Sequence, residues 1–410
     1  MDQVPLVGNG QPGGTAGTGG GGVLVAVEAR PGPDPAAAAV RIEEAVRARF
    51  PGREATALVA SRHGAEAVLV APAEAAQARA GPVPLAASGG GGSESPLGAL
   101  LREGDRRGSA AMGLVSAEPH DESADWLGML LGPVVEGGFD LVCPAYRRHR
   151  AEGVLNTGIV YPLTRALYGR RLRQPLGGET ALSLGLARTL LGDAGWRRDP
   201  ASAGSDAWLV ATVLSQGARA CQAWLGAWPR PEVLPEDPSQ TLARVLGPVF
   251  REMERHADRW QRIEGSEPVP TFGTGGLLEE APPRVRIEPL AEAFRLGQRE
   301  LEPVWGLVLP PSVLLALRRL AAGGPTPRLE DPLWARIVFD FAVGHYARAV
   351  ERRQLLLSLT PLYLGWVAGF VEETQSLAPE AVEDRVESLC LAFEREKRYL
   401  ISRWRWPDAF

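Results

Sequence analysis

Charged side chains that could bind an anion lie close together in the middle of the chain. The segment Tyr146–Arg150 reads Tyr-Arg-Arg-His-Arg and directly follows a predicted strand, Asp140–Cys143. Open α/β sheets bind ligands at the carboxyl ends of their strands, so a cationic cluster in this place suits an anionic substrate. A solvated basic loop is the alternative interpretation, and the local sequence leaves both open.

Two carboxylates further along the chain, Glu179 and Asp206, stand beside glycines and turn residues. The segment Arg173–Glu179 combines a turn signal with Gly177 and Gly178, which allow the backbone to approach a ligand closely. The alternative for Glu179 is a place in the first turn of a helix, where the helix dipole favours a carboxylate. Asp206 precedes an apolar run and could serve only as a helix N-cap.

Several other chemistries find no support in the spacing of reactive residues. The histidines are scattered, and the sequence contains neither His-x-x-x-His nor Cys-x-x-Cys, so no zinc site built from local spacing is expected. It has no Gly-x-Ser-x-Gly elbow of a serine hydrolase. The runs Gly17–Gly22 and Gly89–Gly92 lack the context of a phosphate loop. Lys397 is the single lysine among 44 basic residues, and its Arg/Glu-rich surroundings suit neither a phosphate loop nor a Schiff base.

The composition is that of a globular protein with two domains of ordinary size. The 410 residues are 45% hydrophobic and 23% charged, with a net charge of −5. That balance argues against nucleic acid or an anionic membrane surface as a partner. Cys143, Cys221 and Cys390 lie in apolar stretches and predict buried thiols in a cytoplasmic protein. We expect no signal peptide and no membrane span, because no uninterrupted apolar run reaches roughly 18 residues.

Alternating apolar patterns predict that an α/β domain positions the candidate residues. Short strands are predicted at Val23–Glu28, Ala55–Ala60, Ala67–Val70, Met112–Ser116 and Asp140–Cys143, with helices at Pro35–Phe50, Pro96–Glu103 and Trp126–Val135. This alternation predicts a parallel, doubly wound sheet. Helical blocks follow at Pro289–Leu309, Pro311–Ala322, Asp331–Leu359, Pro361–Ser376 and Pro379–Trp404. We predict a disordered tail at 1–22, an α/β domain at 23–240, a helix and connector at 241–283, and an all-α domain at 284–410.

Several segments, taken in order, resemble a known enzyme family. They are Leu131–Asp140, Ile159–Gly169, Gln174–Glu179, Gly265–Phe272, Leu333–Phe341 and Leu359–Gly365. From Trp126 to the C-terminus the chain resembles the retaining, GT-A-fold glycosyltransferases that make glucosylglycerate or mannosylglycerate from a sugar nucleotide and a glycerate acceptor. The resemblance implies a GT-A domain with a Rossmann-like, mostly parallel sheet, followed by an all-α C-terminal domain.

The resemblance also implies roles for individual residues. Glu179 would lie beside the reacting sugar, and Asp206 would hold sugar or acceptor hydroxyls. The acceptor-binding residues would include the Gly177–Gly178 turn and a loop that contains Arg148, His149, Arg150, Glu152 and Asn156. The partners would be a nucleotide sugar and a small anionic acceptor.

The donor side departs from the family pattern. Where the family places an Asp-x-Asp that holds Mg²⁺ or Mn²⁺ against the diphosphate, the sequence reads Ser116-Ala117-Glu118. The family's metal-binding histidine and its loop lysine have no counterparts here. A single Glu118 is a poor anchor for a divalent ion, although Asp121 and Glu122 are close enough in sequence to substitute. Arginines could instead bind phosphate directly, and the candidates are Arg30, Arg102, Arg106 and Arg107.

Three functions remain open at this point. The first is an active hexosyltransferase with altered or metal-poor donor binding. The second is a catalytically inactive pseudoenzyme, a GT-A scaffold that acts as a ligand sensor or assembly partner. The third is a structural role of the helical domain, whose end Trp404–Trp406 could dock a partner such as a second copy of the chain.

Overall fold

The computed structural model describes residues 21–28, 33–63, 66–78, 95–118, 125–198, 205–227, 234–278 and 285–406. Most of the predicted tail lies outside the described residues, as do Arg30, Gly89–Gly92, Asp121 and Glu122. The described residues form two compact units. The sheet unit comprises Met1–Tyr146, Gln174–Pro229 and Val269–Gly275, and the helical unit comprises Arg147–Arg173, Arg230–Pro268 and Gly276–Phe410.

Most of the strands belong to one mixed sheet. In chain order the strands are β1 (Val23–Glu28), β2 (Ala55–His63), β3 (Glu66–Val70), β4 (Ala111–Ser116), β5 (Leu141–Arg147), β6 (Arg170–Arg171), β7 (Thr180–Ser183), β8 (Ala220–Ala227), β9 (Glu267–Pro268) and β10 (Thr271–Phe272). Eight of them form a sheet in the order β10-β8-β5-β7-β4-β1-β2-β3, and β6 pairs with β9 in the helical unit. β1 is parallel to both of its neighbours, whereas β3 and β7 run antiparallel to theirs. The predicted mostly parallel α/β sheet is confirmed, with two antiparallel strands added.

Both units contain helices. They are α1 (Pro35–Arg49), α2 (Pro72–Ala78), α3 (Pro96–Arg107), α4 (Trp126–Val135), α5 (Tyr161–Tyr168), α6 (Leu184–Gly192), α7 (Ala194–Arg198), α8 (Asp206–Gln216), α9 (Pro238–Arg255), α10 (Ala257–Trp260), α11 (Ile287–Trp305), α12 (Pro311–Ala322), α13 (Asp331–Ala347), α14 (Arg352–Ser358), α15 (Thr360–Thr374) and α16 (Pro379–Arg405). A π-helix, Asn156–Val160, precedes α5 directly. The predicted all-α C-terminal region is confirmed by α11 to α16.

Local sequence explains why the central elements form where they were predicted. β1 and β4 are buried along almost their whole length, and both are rich in aliphatic residues. α1 begins after Asp34, whose carboxylate accepts a hydrogen bond from the backbone N–H of Ala36 at 3.0 Å. α3 begins after the Ser95 cap and ends at Gly108, which has a φ of 66° and so adopts the left-handed conformation that glycine favours.

One predicted helix is broken in the structure. The block Asp331–Leu359 forms two helices, α13 and α14, because Arg348 adopts a left-handed conformation with a φ of 56°. The backbone N–H of Ala349 then reaches back to the carbonyl of Gly344, which ends α13. The prediction of one long helix was wrong, because the block also included the left-handed turn at Arg348 that separates the two helices.

The predicted end of β5 was also wrong. The strand continues past Cys143 to Arg147, so Tyr146 and Arg147 belong to the strand and do not follow it. The sequence indicated an earlier end because of Pro144, since proline cannot donate to a ladder and usually marks a strand end or edge. The pairing of β5 with β7 involves Leu141 and Val142, so Pro144 lies beyond these paired residues.

The single lysine has surroundings that its sequence context did not predict. Lys397 is 7% exposed, and its Nζ donates to the carbonyls of Ile263 at 2.6 Å and Leu167 at 3.3 Å. Burial lowers its pKa to about 8. Leu167 lies in the last turn of α5, so the amine caps carbonyls that would otherwise lack partners. The contacts of Lys397 are therefore structural.

The helical unit also contains the apolar C-terminal residues. Trp404 is 5% exposed and stacks on Tyr346 with ring centroids 4.6 Å apart, whereas Trp406 is 70% exposed. Trp404 is thus part of the core of this unit.

One stretch, Arg352–Thr374, has the length and hydropathy of a membrane-spanning helix, and 78% of its most apolar window is buried inside the protein. Cys143, Cys221 and Cys390 are free and buried, as predicted.

Candidate active site

The carboxyl ends of β1 and β4 mark the place where an open α/β sheet is expected to bind a ligand. Chain order reverses there, because β2 lies on one side of β1 and β4 on the other. Glu28 ends β1 and pairs in register with Ser116, which ends β4. Ala117 and Glu118 follow β4 directly. The sequence-predicted residues Ser116 and Glu118 therefore lie at this edge of the sheet.

Glu179 is held at the same edge by two hydroxyl groups. It is 1% exposed and directly precedes β7, which pairs with β4. The hydroxyl of Ser116 donates to Oε1 of Glu179 at 2.8 Å, and the hydroxyl of Tyr146 donates to Oε2. Oε2 of Glu118 is 3.5 Å from the Ser116 hydroxyl, which has one proton and is closer to Glu179. The interpretation of Glu179 as the first turn of a helix is wrong.

Two glycines allow the chain to reach this position. A Cβ on Gly177 would lie 2.1 Å from Cγ of Pro144, so only glycine fits where the segment crosses β5. Gly178 has a φ of 84°, a conformation that side chains rarely permit. Both residues were predicted to bind the acceptor, and the structure gives each of them a backbone reason as well.

Asp206 supports the turn that carries Glu179. Its Oδ2 accepts a hydrogen bond from the backbone N–H of Gly178 at 3.1 Å. The N-cap of α8 is Ser205, whose hydroxyl accepts from the N–H of Trp208, so Asp206 is not the cap that its sequence position suggested. Burial, with smaller contributions from Cys221 and Asp206, raises the pKa of the Cys143 thiol, which makes this cysteine unreactive.

The described residues do not offer a divalent cation the pair of carboxylates that the family pattern would supply. Glu118 is the carboxylate that follows β4, and the oxygens of Glu179 accept hydrogen bonds from Ser116 and Tyr146. Among the described residues there is no group of three or more His, Cys, Asp or Glu side chains that could hold a metal. The described residues therefore do not by themselves form a site for Mg²⁺ or Mn²⁺, and Asp121 and Glu122, which could add ligands, lie outside them.

Two of the arginines proposed as phosphate ligands lie at the opposite edge of the sheet. Arg106 and Arg107 are in the last turn of α3, just before β4 begins, which places them at the amino end of that strand. Both bind Glu103, and Nη1 of Arg107 is 3.4 Å from the hydroxyl of Thr56, near the start of β2. They are therefore separated from the carboxyl edge by the length of a strand. Arg102 lies one turn earlier in α3.

The predicted acceptor loop belongs to the helical unit. The backbone carbonyl of Arg148 accepts from the N–H of Leu278 at 2.9 Å, and Glu152 and His149 exchange two hydrogen bonds that close a tight turn. Nη1 of Arg150 donates to the carbonyls of Thr374, Gln375 and Leu377 at the end of α15. Part of the Arg150 guanidinium is thus used to cap a helix.

Buried polar atoms without protein partners are concentrated in this loop. Glu152 is 4% exposed and Asn156 is 5% exposed, yet Oε1 of Glu152 and Oδ1 of Asn156 accept no hydrogen bond from any group in the described part of the chain. Nδ1 of His149 also has no such partner. Buried polar atoms normally have partners, so these atoms are candidates for contact with a ligand or water.

A rigid aromatic support underlies Asn156. Asn156 is the first residue of the π-helix, and π-turns occur often at functional sites. The indole N–H of Trp334 donates to the carbonyl of Gly158 at 2.8 Å. Trp366 stacks on Trp334 and packs against Gly158, where an added Cβ would lie 2.3 Å from the indole.

Sequence reasoning missed Tyr146 as a site residue. Its ring is fully buried, and aromatic residues at the end of a strand usually belong to the core. A signal was nevertheless present, because a buried tyrosine hydroxyl needs a hydrogen-bond partner. Gln174, which binds both polar groups of the Tyr146 backbone, was also missed.

Among the comparisons with known proteins, the one with solved structures found matches. No family model matches the chain, and no curated protein matches it. One solved structure that matches is glucosyl-3-phosphoglycerate synthase from Mycobacterium tuberculosis in complex with phosphoglyceric acid. The match has 18% identity and a TM-score of 0.36, and covers 60% of this chain and 86% of that one. At that TM-score the structural likeness carries no argument about activity.

Proposed function

We propose that this chain is a GT-A-type glycosyltransferase that transfers a hexose from a nucleotide sugar to a small acidic acceptor such as glycerate, with metal-poor donor binding. The observation that carries the proposal is the buried carboxylate of Glu179 at the carboxyl edge of the sheet, fixed by Ser116 and Tyr146. The sequence resemblance given above supplies the reaction class. The proposal rests on both together.

The chemistry asks for a fixed negative charge at this place. When the nucleoside diphosphate leaves, positive charge develops at the sugar carbon, and a carboxylate already oriented beside it stabilises that charge without reorganisation. Glu179 is suited to this task because both of its oxygens are engaged before any ligand arrives. Asp206 would act through Gly178, whose N–H it binds, and would hold sugar or acceptor hydroxyls with any remaining capacity.

The acceptor would be bound by the loop of the helical unit. Oε1 of Glu152 and Oδ1 of Asn156 suit the hydroxyl donors of a small polyol acid, since both atoms lack partners among the described residues. Arg148, with a buried guanidinium that can form a forked contact, suits the carboxylate of that acid. His149 would add a further polar contact through Nδ1.

The decisive experiment is a calorimetric titration with UDP- and GDP-sugars, with and without Mg²⁺ or Mn²⁺, followed by an assay of sugar transfer to glycerate. We expect donor binding that changes little on addition of the metal. Glu179→Gln should lower kcat about 100-fold or more, because it removes the charge and keeps the shape. Glu44→Gln, an exposed carboxylate on α1, is the matched control and should leave transfer unchanged. Absence of any nucleotide binding at millimolar concentration would end the case for transfer.

A second candidate function is a ligand-binding pseudoenzyme. Two observations favour this candidate: Arg106 and Arg107 lie at the amino edge of the sheet, and Glu118 is the single carboxylate that the described residues place directly after β4. Both argue for weaker donor binding, and neither affects the acceptor loop. It predicts that glycerate binds while no sugar nucleotide does. Separate titrations with glycerate and with the sugar nucleotides therefore distinguish the two functions.

A further inference from the structure

The position of Glu179 depends on Tyr146, and the position of Tyr146 depends on Gln174. The backbone N–H of Tyr146 donates to Oε1 of Gln174 at 3.1 Å, and Nε2 of Gln174 donates to the carbonyl of Tyr146 at 2.7 Å. A side-chain amide thus occupies both polar groups of one strand residue, as a neighbouring strand would. All three residues belong to the sheet unit and are 6% exposed or less.

The geometry of β5 explains why such a clamp is needed. β7 pairs with Leu141 and Val142, and the register would next bring Glu179 opposite Pro144, which has no N–H to donate. The segment before β7 therefore leaves the ladder and crosses Pro144 at Gly177. This departure leaves the backbone of Tyr146 for Gln174 to bind, and it turns the carboxylate of Glu179 toward the Tyr146 hydroxyl.

We propose that Tyr146 is a positioning residue that holds Glu179 in one orientation, with Gln174 fixing Tyr146 through its backbone. Ser116 binds one oxygen of the carboxylate and Tyr146 binds the other, so loss of the Tyr146 hydroxyl removes one of the contacts that orient the carboxylate. The role of Tyr146 in catalysis rests on the proposed function. The physical coupling between Tyr146 and Glu179 does not depend on that function and can be measured separately.

The first test is kinetic and uses Tyr146→Phe, which removes only the hydroxyl. We expect kcat for sugar transfer to fall about tenfold while KM for donor and acceptor stays within about twofold, because orientation affects the transition state more than binding. In a Glu179→Gln background the same change should have no further effect on kcat. The matched control is Tyr363→Phe in the helical unit, because the buried hydroxyl of Tyr363 has no hydrogen-bond partner within the described ranges. An equal loss in both backgrounds would overturn the proposal.

The second test is independent of activity. Unfolding equilibria are measured for the wild type, Tyr146→Phe, Glu179→Gln and the double variant, which together form a double-mutant cycle. The change in the unfolding equilibrium constant of the double variant should differ about tenfold from the product of the two single changes. Additive effects would overturn the proposal even in an active enzyme. A clear coupling in a protein that binds no sugar nucleotide would refute the proposed function and leave the positioning of Glu179 by Tyr146 intact.

Discussion

His345 makes the stability of the helical unit depend on pH. His345 lies in α13 and is 1% exposed, and neither ring nitrogen makes a hydrogen bond to any group among the residues that the structure describes. Its ring packs edge-on against Phe250 at 5.6 Å. Burial, reinforced by the positive charges of Arg352, Arg251 and Arg348, lowers the pKa of His345 to about 3. The folded protein therefore keeps this side chain neutral down to acidic pH.

The sign and size of the effect follow from the two pKa values. The unfolded chain binds a proton at His345 near the reference pKa of 6.5, whereas the folded chain does so only near 3. Stability is therefore lost as the pH falls between these two values. The free energy of unfolding lost through proton uptake at His345 is about 3 kcal/mol near pH 4 and about 0.2 kcal/mol near pH 7. A folded pKa that is one unit higher changes the first figure only slightly, because the unfolded chain supplies most of the proton uptake.

Chemical unfolding of the wild type and of His345→Leu, each near pH 7 and near pH 4, measures this effect. The free energy of unfolding of the variant relative to the wild type should rise by about 3 kcal/mol on acidification, because the variant has no proton to take up. Tyr363→Phe, which alters another buried side chain that does not titrate in this range, should show no such change. Equal pH dependence in the wild type and His345→Leu would refute the reasoning.

Two further predictions concern backbone conformation. Arg348→Gly should raise the free energy of unfolding by about 0.5 kcal/mol. Glycine adopts a φ of 56° without strain, and this gain exceeds the larger entropy that glycine loses on folding. Arg353→Gly in α14 is the control and should lower the free energy of unfolding by about 1 kcal/mol, and a loss of stability in Arg348→Gly would contradict the account of the helix break. Gly158→Ala should lower the free energy of unfolding in denaturant by about 2 kcal/mol or more, because Trp366 is stacked against neighbouring rings and cannot move away from the new methyl group. Gly276→Ala is the control and should be neutral, because the space around Gly276 is open. A neutral Gly158→Ala would show that the indole stack is loose.

The sequence predicted well those elements whose signal is local. β1 and β4 are buried on both faces, so almost all of their residues are apolar, and α4 begins and ends at the residues that its pattern predicts. β7 was not predicted, because its four residues gain their strand conformation from pairing with β4 and β5. The same limit applies to the two units, whose segments 147–173 and 269–275 depart from chain order.

The candidate site divides in the same way. The sequence singled out Glu179 and Asp206, because carboxylates beside glycines and turns carry a local signal. It missed Tyr146 and Gln174, because their contacts join residues that are 28 or more positions apart. Their side chains are ordinary members of a strand and a turn until the strands come together.

Residue type and periodicity by themselves determined the alternation of strands and helices, the helical C-terminal region, the shortage of lysine and the places where carboxylates meet glycines. Only the tertiary structure decided which hydroxyl binds which carboxylate oxygen, which arginines lie at the amino edge of the sheet, and which buried polar atoms lack a partner. The physical reason is that secondary structure responds to neighbours a few residues apart. A hydrogen bond between distant residues depends on the register of strands, here the pairing of Leu141 and Val142 with β7, which no short stretch of sequence contains.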